Sequence, residues 1–247
     1  MFLLILLNII QQFNLIINKN LKLSMKYLFK NFFFLSIIFF VSLNSIKSQD
    51  FGADLVSSYV WRGTQFGSGA HIQPYMELNY GSLKGGVWGS FPTTANGGGN
   101  ELDLYLSYSF KNNKTQEKYF ELTLTNYSFP KDGGTYKSGE GLFEKDYLEV
   151  AVSSKLGPIN LMVGYFTEIE ALYVESTFLV GVVDIGVGFG SDSKDKFYAG
   201  GDSGLVNLSF SGSKEIKITE EYSLPLSGSF VYNPDSEAAF LLFAMSF

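Results

Sequence analysis

The sequence contains no cysteine and a single histidine among 247 residues. Without cysteine there are no disulfides, no thiolate metal sites, no cysteine nucleophile and no lipid-modified cysteine anchor. One imidazole gives little basis for histidine-rich metal binding or triad catalysis. The net charge of −6 argues against nucleic-acid binding, which normally needs a basic surface. We therefore expect no enzyme, no metal, no other cofactor and no nucleic-acid partner.

The first 48 residues also lack acidic residues, glycine and proline. We interpret 25–48 as a signal peptide, because Lys26 and Lys30 precede the apolar segment 32–41. Residues 1–24 are interpreted as translated upstream sequence, with one long signal sequence as the alternative. The sequence thus predicts an exported protein whose mature part is 49–247.

The mature part has a net charge of −11 and holds all 26 glycines. Its apolar residues fall at every second position, the period of a strand and not of a helix. In 101–110, leucine, tyrosine and phenylalanine occupy the even positions, and Glu101 and Asp103 begin the odd ones. The pattern predicts about twelve strands, at 51–61, 71–80, 83–91, 101–110, 117–129, 145–154, 159–167, 171–180, 182–190, 203–211, 215–232 and 237–247.

Several connections between these strands are long and rich in glycine and polar residues. They alternate along the chain with connections that are mostly short. Outer-membrane barrels have long outer loops, short periplasmic turns and an even number of strands. Most of the predicted strands are also long enough to cross a bilayer when tilted. The long connections are 62–70, 92–100, 130–144 and 191–202, and one of the short turns is predicted at 212–214.

These signals predict an all-β, antiparallel transmembrane barrel of about twelve strands over 49–247, with both termini in the periplasm. The last strand alternates apolar residues and ends in Phe247. A terminal strand of this kind is what the barrel-assembly machinery of Gram-negative bacteria recognises, so we expect that machinery and outer-membrane lipid as partners. A secreted β-sandwich is the alternative fold, because its strands alternate as well.

Three stretches resemble one family. They are SSYVWRG at 57–63, GVWGS at 86–90 and the tail from 218 to 247. Together they are similar to the TorF family of porin-like bacterial outer-membrane proteins, and the similarity extends over the mature chain. The resemblance implies a barrel in the cell outer membrane of a Bacteroidetes-type organism. It implies no particular substrate.

Trp61 and Arg62 stand at the outer end of the first predicted strand. Strict alternation predicts that Trp61 is an interfacial aromatic facing lipid and that Arg62 faces the lumen. Two roles for Arg62 remain open. It is either a constriction charge for anionic solutes or a structural partner of a lumen carboxylate, a group that arginine pairs well.

The acidic side chains of the strands fall mainly on the predicted lumen face, which favours cations or neutral polar solutes. We therefore expect a porin-like channel for passive diffusion of small polar solutes. The alternative is a non-conducting barrel that acts as a scaffold or adhesin through its outer loops. The pore-lining candidates are Arg62, Glu77, Glu101, Asp103, Glu121, Glu149, Glu175, Asp184, Lys217 and Glu221.

Overall fold

The computed structural model divides the chain into two compact units, 1–44 and 45–247. It describes residues 28, 30, 31, 35, 48–112, 118–130, 146–191, 197, 198 and 203–247. The predicted upstream extension (1–24) and signal peptide (25–48) lie almost wholly outside these described residues. Across the described ranges, no helix has the length and apolar character needed to cross a membrane.

The second unit is an all-β, antiparallel, closed barrel of twelve strands, so the predicted fold is confirmed and the alternative β-sandwich is wrong. Two further short strands, β2 (Tyr59–Trp61) and β3 (Thr64–Gly67), pair only with each other. The barrel strands are β1 (Ser48–Val56), β4 (His71–Tyr80), β5 (Leu83–Pro92), β6 (Glu101–Lys111), β7 (Lys118–Ser128), β8 (Tyr147–Leu156), β9 (Ile159–Phe166), β10 (Ala171–Val180), β11 (Val183–Ser191), β12 (Gly204–Lys217), β13 (Ser223–Asn233) and β14 (Ala238–Ser246).

The barrel closes where β1 meets β4 on one side and β14 on the other. β1 pairs with β4 along its whole length, from Ser48 opposite Asn79 to Val56 opposite His71. Its pairing with β14 is much shorter and joins only 54–56 to 244–246. The start of β1 and the end of β14 both lie at the edge that carries the short turns.

The short β2–β3 hairpin lies inside the barrel. Arg62 at its tip bonds Glu149 on β8, and Asn233 on β13 donates a 3.2 Å hydrogen bond to the Gly63 carbonyl. The ring of Tyr59 lies 5.6 Å from that of Trp88 on β5. A segment that contacts strands spread around a closed barrel must lie in its interior, so these contacts define the inward face.

The two faces of the barrel wall differ in polarity as the predicted membrane barrel requires. Residues directly opposite on paired strands share a face, so the inward residues identify their neighbours. The inward face carries buried polar residues such as Gln73, Ser90 and Thr125. The large exposed apolar side chains on the outward face include Phe51, Met76, Tyr108, Phe110, Phe120, Val152, Val187, Phe210, Phe230 and Phe243.

Two predicted boundaries are wrong. The first predicted strand, 51–61, ends at Val56 in the structure, because the chain turns inward and forms the hairpin. The predicted turn at 212–214 lies within β12, and the turn falls instead at 218–222. The Thr219 hydroxyl accepts hydrogen bonds from the backbone N–H groups of Glu221 and Tyr222, which fixes the turn there.

Candidate functional site: the barrel interior

The hairpin reverses direction at Arg62 and Gly63, a two-residue turn between Trp61 and Thr64. Both turn residues have positive φ, 50° for Arg62 and 81° for Gly63, as in the type I′ turns that favour hairpins. A Cβ atom at position 63 would lie 1.8 Å from the Val206 carbonyl oxygen on β12. Glycine is therefore required there both by the turn and by the close approach to the wall.

Arg62 forms a two-point ion pair with Glu149. Its Nη1 atom lies 2.6 Å from Oε1 and its Nη2 atom 3.1 Å from Oε2, and both side chains are buried. Burial opposes the charge of the guanidinium, but the Glu149 carboxylate holds the pKa of Arg62 above its ordinary value. Arg62 thus acts as a structural partner of a lumen carboxylate, the second of its two predicted roles.

Aromatic rings enclose this ion pair. The guanidinium carbon of Arg62 lies 4.1 Å from the Trp61 ring centroid and 4.4 Å from that of Tyr173, within the range of cation–π attraction. Tyr198 accepts a 2.6 Å hydrogen bond from Arg62, and Phe166 is 1% exposed beside it. The hairpin therefore fills this side of the lumen near the long loops.

The prediction that Trp61 faces lipid is wrong. Its ring packs against Tyr127, Phe166 and Tyr198, which belong to the interior cluster. The alternation counted along β1 does not reach Trp61, because the chain leaves the wall after Val56.

Tyrosine hydroxyls donate hydrogen bonds to four of the inward carboxylates. Each of four glutamates accepts a hydrogen bond from a tyrosine on the hairpin, on its own strand or on a nearby strand. A tyrosine hydroxyl donates a hydrogen bond but neutralises no charge. Basic side chains contact two of these four glutamates, Arg62 at Glu149 and Lys84 at Glu77. The pairs are Tyr59 with Glu101 at 2.8 Å, Tyr105 with Glu77 at 2.5 Å, Tyr127 with Glu149 at 2.9 Å and Tyr173 with Glu175 at 2.5 Å.

A cavity of about 320 Å³ remains on the other side of the hairpin. Glu101 and Asp103 lie on its wall, buried to 3% and 6% exposure. The Asp103 Oδ1 atom has no hydrogen-bond partner among the described residues. The cavity extends to the opposite wall at Ser229 and Leu242. The space left beside the hairpin is therefore bordered by two carboxyl groups and several hydroxyls, together with apolar residues such as Trp88 and Phe243.

Burial raises the pKa of the Tyr59 phenol above its ordinary value, and the nearby Glu101 carboxylate adds to the effect. Tyr59 thus remains a hydrogen-bond donor to Glu101 at all physiological pH values. This contact ties the hairpin to the acidic wall of the cavity, as Arg62 ties it to Glu149 on the other side.

The remaining predicted residues lie closer to the short-turn edge. Glu121 accepts a 2.7 Å hydrogen bond from Ser109 and lies 3.4 Å from the Lys118 ammonium. Asp184 is on the inward face but exposed at the rim. Lys217, also exposed, pairs with Glu220 at 2.9 Å. Glu221 belongs to the turn at 218–222, so its predicted place on an inner strand face is wrong.

The structure therefore brings one group of predicted residues together and separates it from another. Within the described residues, no three histidine or acidic side chains are placed to hold a metal ion. The residues gathered around the hairpin are Arg62, Glu101, Asp103, Glu149 and Glu175. Farther along the inward face lie Glu77 and Glu121. At the rim lie Asp184, Lys217 and Glu221.

His71, the single imidazole, is completely buried at the start of β4. Its Nδ1 atom lies 3.0 Å from the Gly69 carbonyl oxygen and its Nε2 atom 2.9 Å from that of Gly98. The ring thus links the segment after the hairpin to the loop between β5 and β6.

Sequence reasoning overlooked the tyrosines and three acids. Asp50 and Asp54 share the inward face through their pairing with Glu77 and Gln73. Glu215 has the inward register of β12, opposite Pro225. The signal that could have found the tyrosines is the odd numbering they share with the acids of their strands. It puts Tyr105, Tyr127 and Tyr173 on the same faces as those acids.

A model of a bacterial protein family of unknown function, Gcw_chp, matches residues 48–217. The match spans β1 to β12, including the hairpin and all the residues gathered around it. The chain belongs to the Gcw_chp family. A search of curated proteins finds no match. The family assignment fixes a bacterial protein whose matched region is most of this barrel, and the finer resemblance to TorF porins enters the proposal below.

Proposed function

We propose that this Gcw_chp protein is an outer-membrane barrel that lets small polar solutes, cations in preference to anions, diffuse through a narrow passage beside the internal hairpin. Export by the predicted signal peptide and the resemblance to TorF porins support the location. The outward band of exposed apolar side chains supports it independently, because a soluble barrel would place polar residues there.

The observation that carries the transport proposal is the acidic cavity between the hairpin and the β13–β14 wall. Among its described lining residues are two acids and no lysine or arginine. The one arginine of the hairpin is neutralised by Glu149 on the other side of the lumen. A solute beside the hairpin therefore meets two carboxyl groups and no basic side chain, and such groups, where ionised, attract cations and repel anions.

Conductance in planar bilayers under a salt gradient tests this proposal. We expect small single-channel currents and a reversal potential with the sign that cation selectivity gives. Glu101→Gln combined with Asp103→Asn should move that potential towards zero, because the lining loses its charge. Glu220→Gln is the matched control, since Glu220 is 91% exposed and distant from the cavity.

Folding must be established separately, by comparing gel mobility of unboiled and boiled protein. Protein that shows the altered mobility of a folded barrel but carries no current would overturn the channel proposal. Unchanged selectivity in the doubly neutralised variant would overturn the assignment of selectivity to Glu101 and Asp103.

A second function is a non-conducting barrel that serves as a scaffold or adhesin through its outer loops. The packing of the hairpin favours it, because Phe166, Tyr173 and Glu149 are at most 2% exposed. This function predicts no current from the folded protein, and loss of partner binding when the connection 130–144 is shortened while the gel mobility shift persists.

A further inference from the structure

The wall between β1 and β14 is incomplete over half the height of β14. Phe243 and Ser57 form the last contact of this seam. The Phe243 carbonyl accepts a 2.8 Å bond from the Ser57 N–H, and the Phe243 N–H donates to the Ser57 hydroxyl. Beyond Ser57 the chain turns into the lumen and becomes the hairpin.

The edge of β14 beyond this point has no strand partner among the described residues. Backbone direction repeats every second residue in a strand, so the N–H and C=O groups of Leu241 point towards the seam like those of Phe243. The Leu241 side chain is 67% exposed and that of Phe243 60%. On this side the edge of β14 beyond Phe243 is therefore unpaired in the described part of the chain, although the barrel as a whole is closed.

Two cavities lie on the two sides of this seam. The acidic cavity lies inside the wall, and a groove of about 360 Å³ lies outside it, lined by apolar residues such as Leu55, Leu226 and Met245. Their common lining residues are Val56, Ser227, Phe243 and Ala244.

One buried acceptor atom in the inner cavity has no hydrogen-bond donor among the described residues. Asp103 is 6% exposed, lines the inner cavity together with Glu101, and its Oδ1 atom has no hydrogen-bond partner among the described residues. A buried acceptor without a partner is costly, and a positively charged donor satisfies it best.

We propose that the seam admits a single-chain amphipathic amine from the surrounding lipid. Its ammonium group binds Asp103 and Glu101 in the inner cavity, and its hydrocarbon chain occupies the outer groove beside Leu226 and Met245. The inference relies on the membrane location proposed above, but it does not need the passage to conduct.

Fluorescence quenching tests the proposal directly. The chain has two tryptophans, Trp61 and Trp88, and both line the inner cavity. Bromine quenches tryptophan only at short range, so dodecylamine brominated near its amino group should quench purified, folded protein in detergent. Brominated dodecanoate and brominated dodecanol at the same concentration serve as controls for partition into the micelle.

Two variants separate the head site from the chain site. Asp103→Asn should weaken quenching by the amine about tenfold or more, because a hydrogen bond to a charged group is lost. Ala70→Phe should fill the groove and weaken binding of the long amine but not of brominated propylamine. Ala70 suits this test because the hydrogen bonds that it makes within the described ranges use its backbone carbonyl, with Thr93 as the donor. Glu220→Gln is the control with no expected effect.

Equal quenching by the amine, the alcohol and the carboxylate would overturn the proposal, since it would show partition alone. Equal affinities for the short and long amines, with no effect of Ala70→Phe, would overturn the route through the seam. If Asp103→Asn lacks the gel mobility shift of a folded barrel, the head-group comparison on the native protein and the Ala70→Phe variant decide the matter. Ionic current with no quenching would reject this inference and leave the channel intact.

Discussion

Arg62 occupies a backbone conformation that costs a non-glycine residue about 1–2 kcal/mol. Its side chain recovers this cost through the ion pair with Glu149, the hydrogen bond with Tyr198 and the stacking on Trp61 and Tyr173. Gly164 makes room for the pair, because a Cβ there would lie 2.3 Å from Glu149 Oε1. The hairpin tip is thus held by one residue whose partners come from several strands.

A double-mutant cycle on this pair should show strong coupling. Arg62→Met or Glu149→Gln alone leaves a buried charge without its partner, at a cost of about 3–5 kcal/mol in unfolding free energy. The double variant should lose much less than the sum of the two. Denaturant unfolding in detergent, followed by tryptophan fluorescence, measures the cycle.

The exposed pair Lys217–Glu220 provides the control cycle. Its side chains are 60% and 91% exposed, so water screens the attraction and we expect no measurable coupling. Coupling of the same size in both cycles would contradict the role assigned to Arg62 and Glu149.

At the scale of single residues, alternation placed most of the inward acids correctly, because a strand allows a side chain only two directions. Alternation does not provide partners. That Arg62 selects Glu149, or that Asp103 remains partly unbonded, depends on the position of the hairpin in the lumen. Trp61 was misplaced for the same reason, since its neighbours lie on strands distant in sequence.

At the scale of elements, the wall strands from β4 to β11 begin and end within about two residues of their predicted bounds. Their alternation is interrupted by clear turns. The hairpin was overlooked because alternation continues from β1 through Tyr59 without a polar break. The β12–β13 turn was misplaced because the glycine in 212–214 is a stronger turn signal than Thr219, whose hydroxyl makes the actual turn.

The hairpin depends on Gly63, and a matched pair of glycines tests this. Gly63→Ala and Gly69→Ala both place alanine at positive φ, near 80°, which costs each variant about 1–2 kcal/mol. Only at position 63 does the new Cβ clash with the wall, at Val206, while position 69 has open space. We expect Gly63→Ala to displace the hairpin tip and Gly69→Ala to leave it in place.

Acrylamide quenching of Trp61, in a Trp88→Phe background, measures this displacement. Quenching should increase for Gly63→Ala and stay unchanged for Gly69→Ala. Equal quenching in the two variants would mean that backbone strain, and not contact with β12, governs the position of the hairpin.

At the scale of the whole molecule, the decisive property is whether the apolar residues of the alternating strands face inward or outward. Period alone is the same in a sandwich and in a barrel, so the sequence left both folds open. Closure of the wall places apolar residues outward and the hairpin, acids and tyrosines inward. The narrow seam between β1 and β14 was beyond prediction, because it follows from the relative stagger of the first and last strands.

Phe247 takes part in closing this seam through its backbone, and we propose a second, separate role for its ring. The backbone of Phe247 exchanges hydrogen bonds of 3.0 and 3.2 Å with Ala53, and its ring is 64% exposed on the outward side. The ring adds little to closure, whereas a terminal aromatic is the signal that we expect the assembly machinery to read.

Phe247→Ala should therefore fold as well as the native chain in detergent, yet reach the outer membrane several-fold less in cells. Deletion of Phe247 should impair both, because the backbone bonds to Ala53 are lost. Gel mobility after refolding and the amount of folded barrel in membrane fractions measure the two effects, with Phe243→Ala as an outward aromatic control within β14. Equal loss in Phe247→Ala and Phe243→Ala cells would show that apolar surface, and not the terminal position, directs assembly.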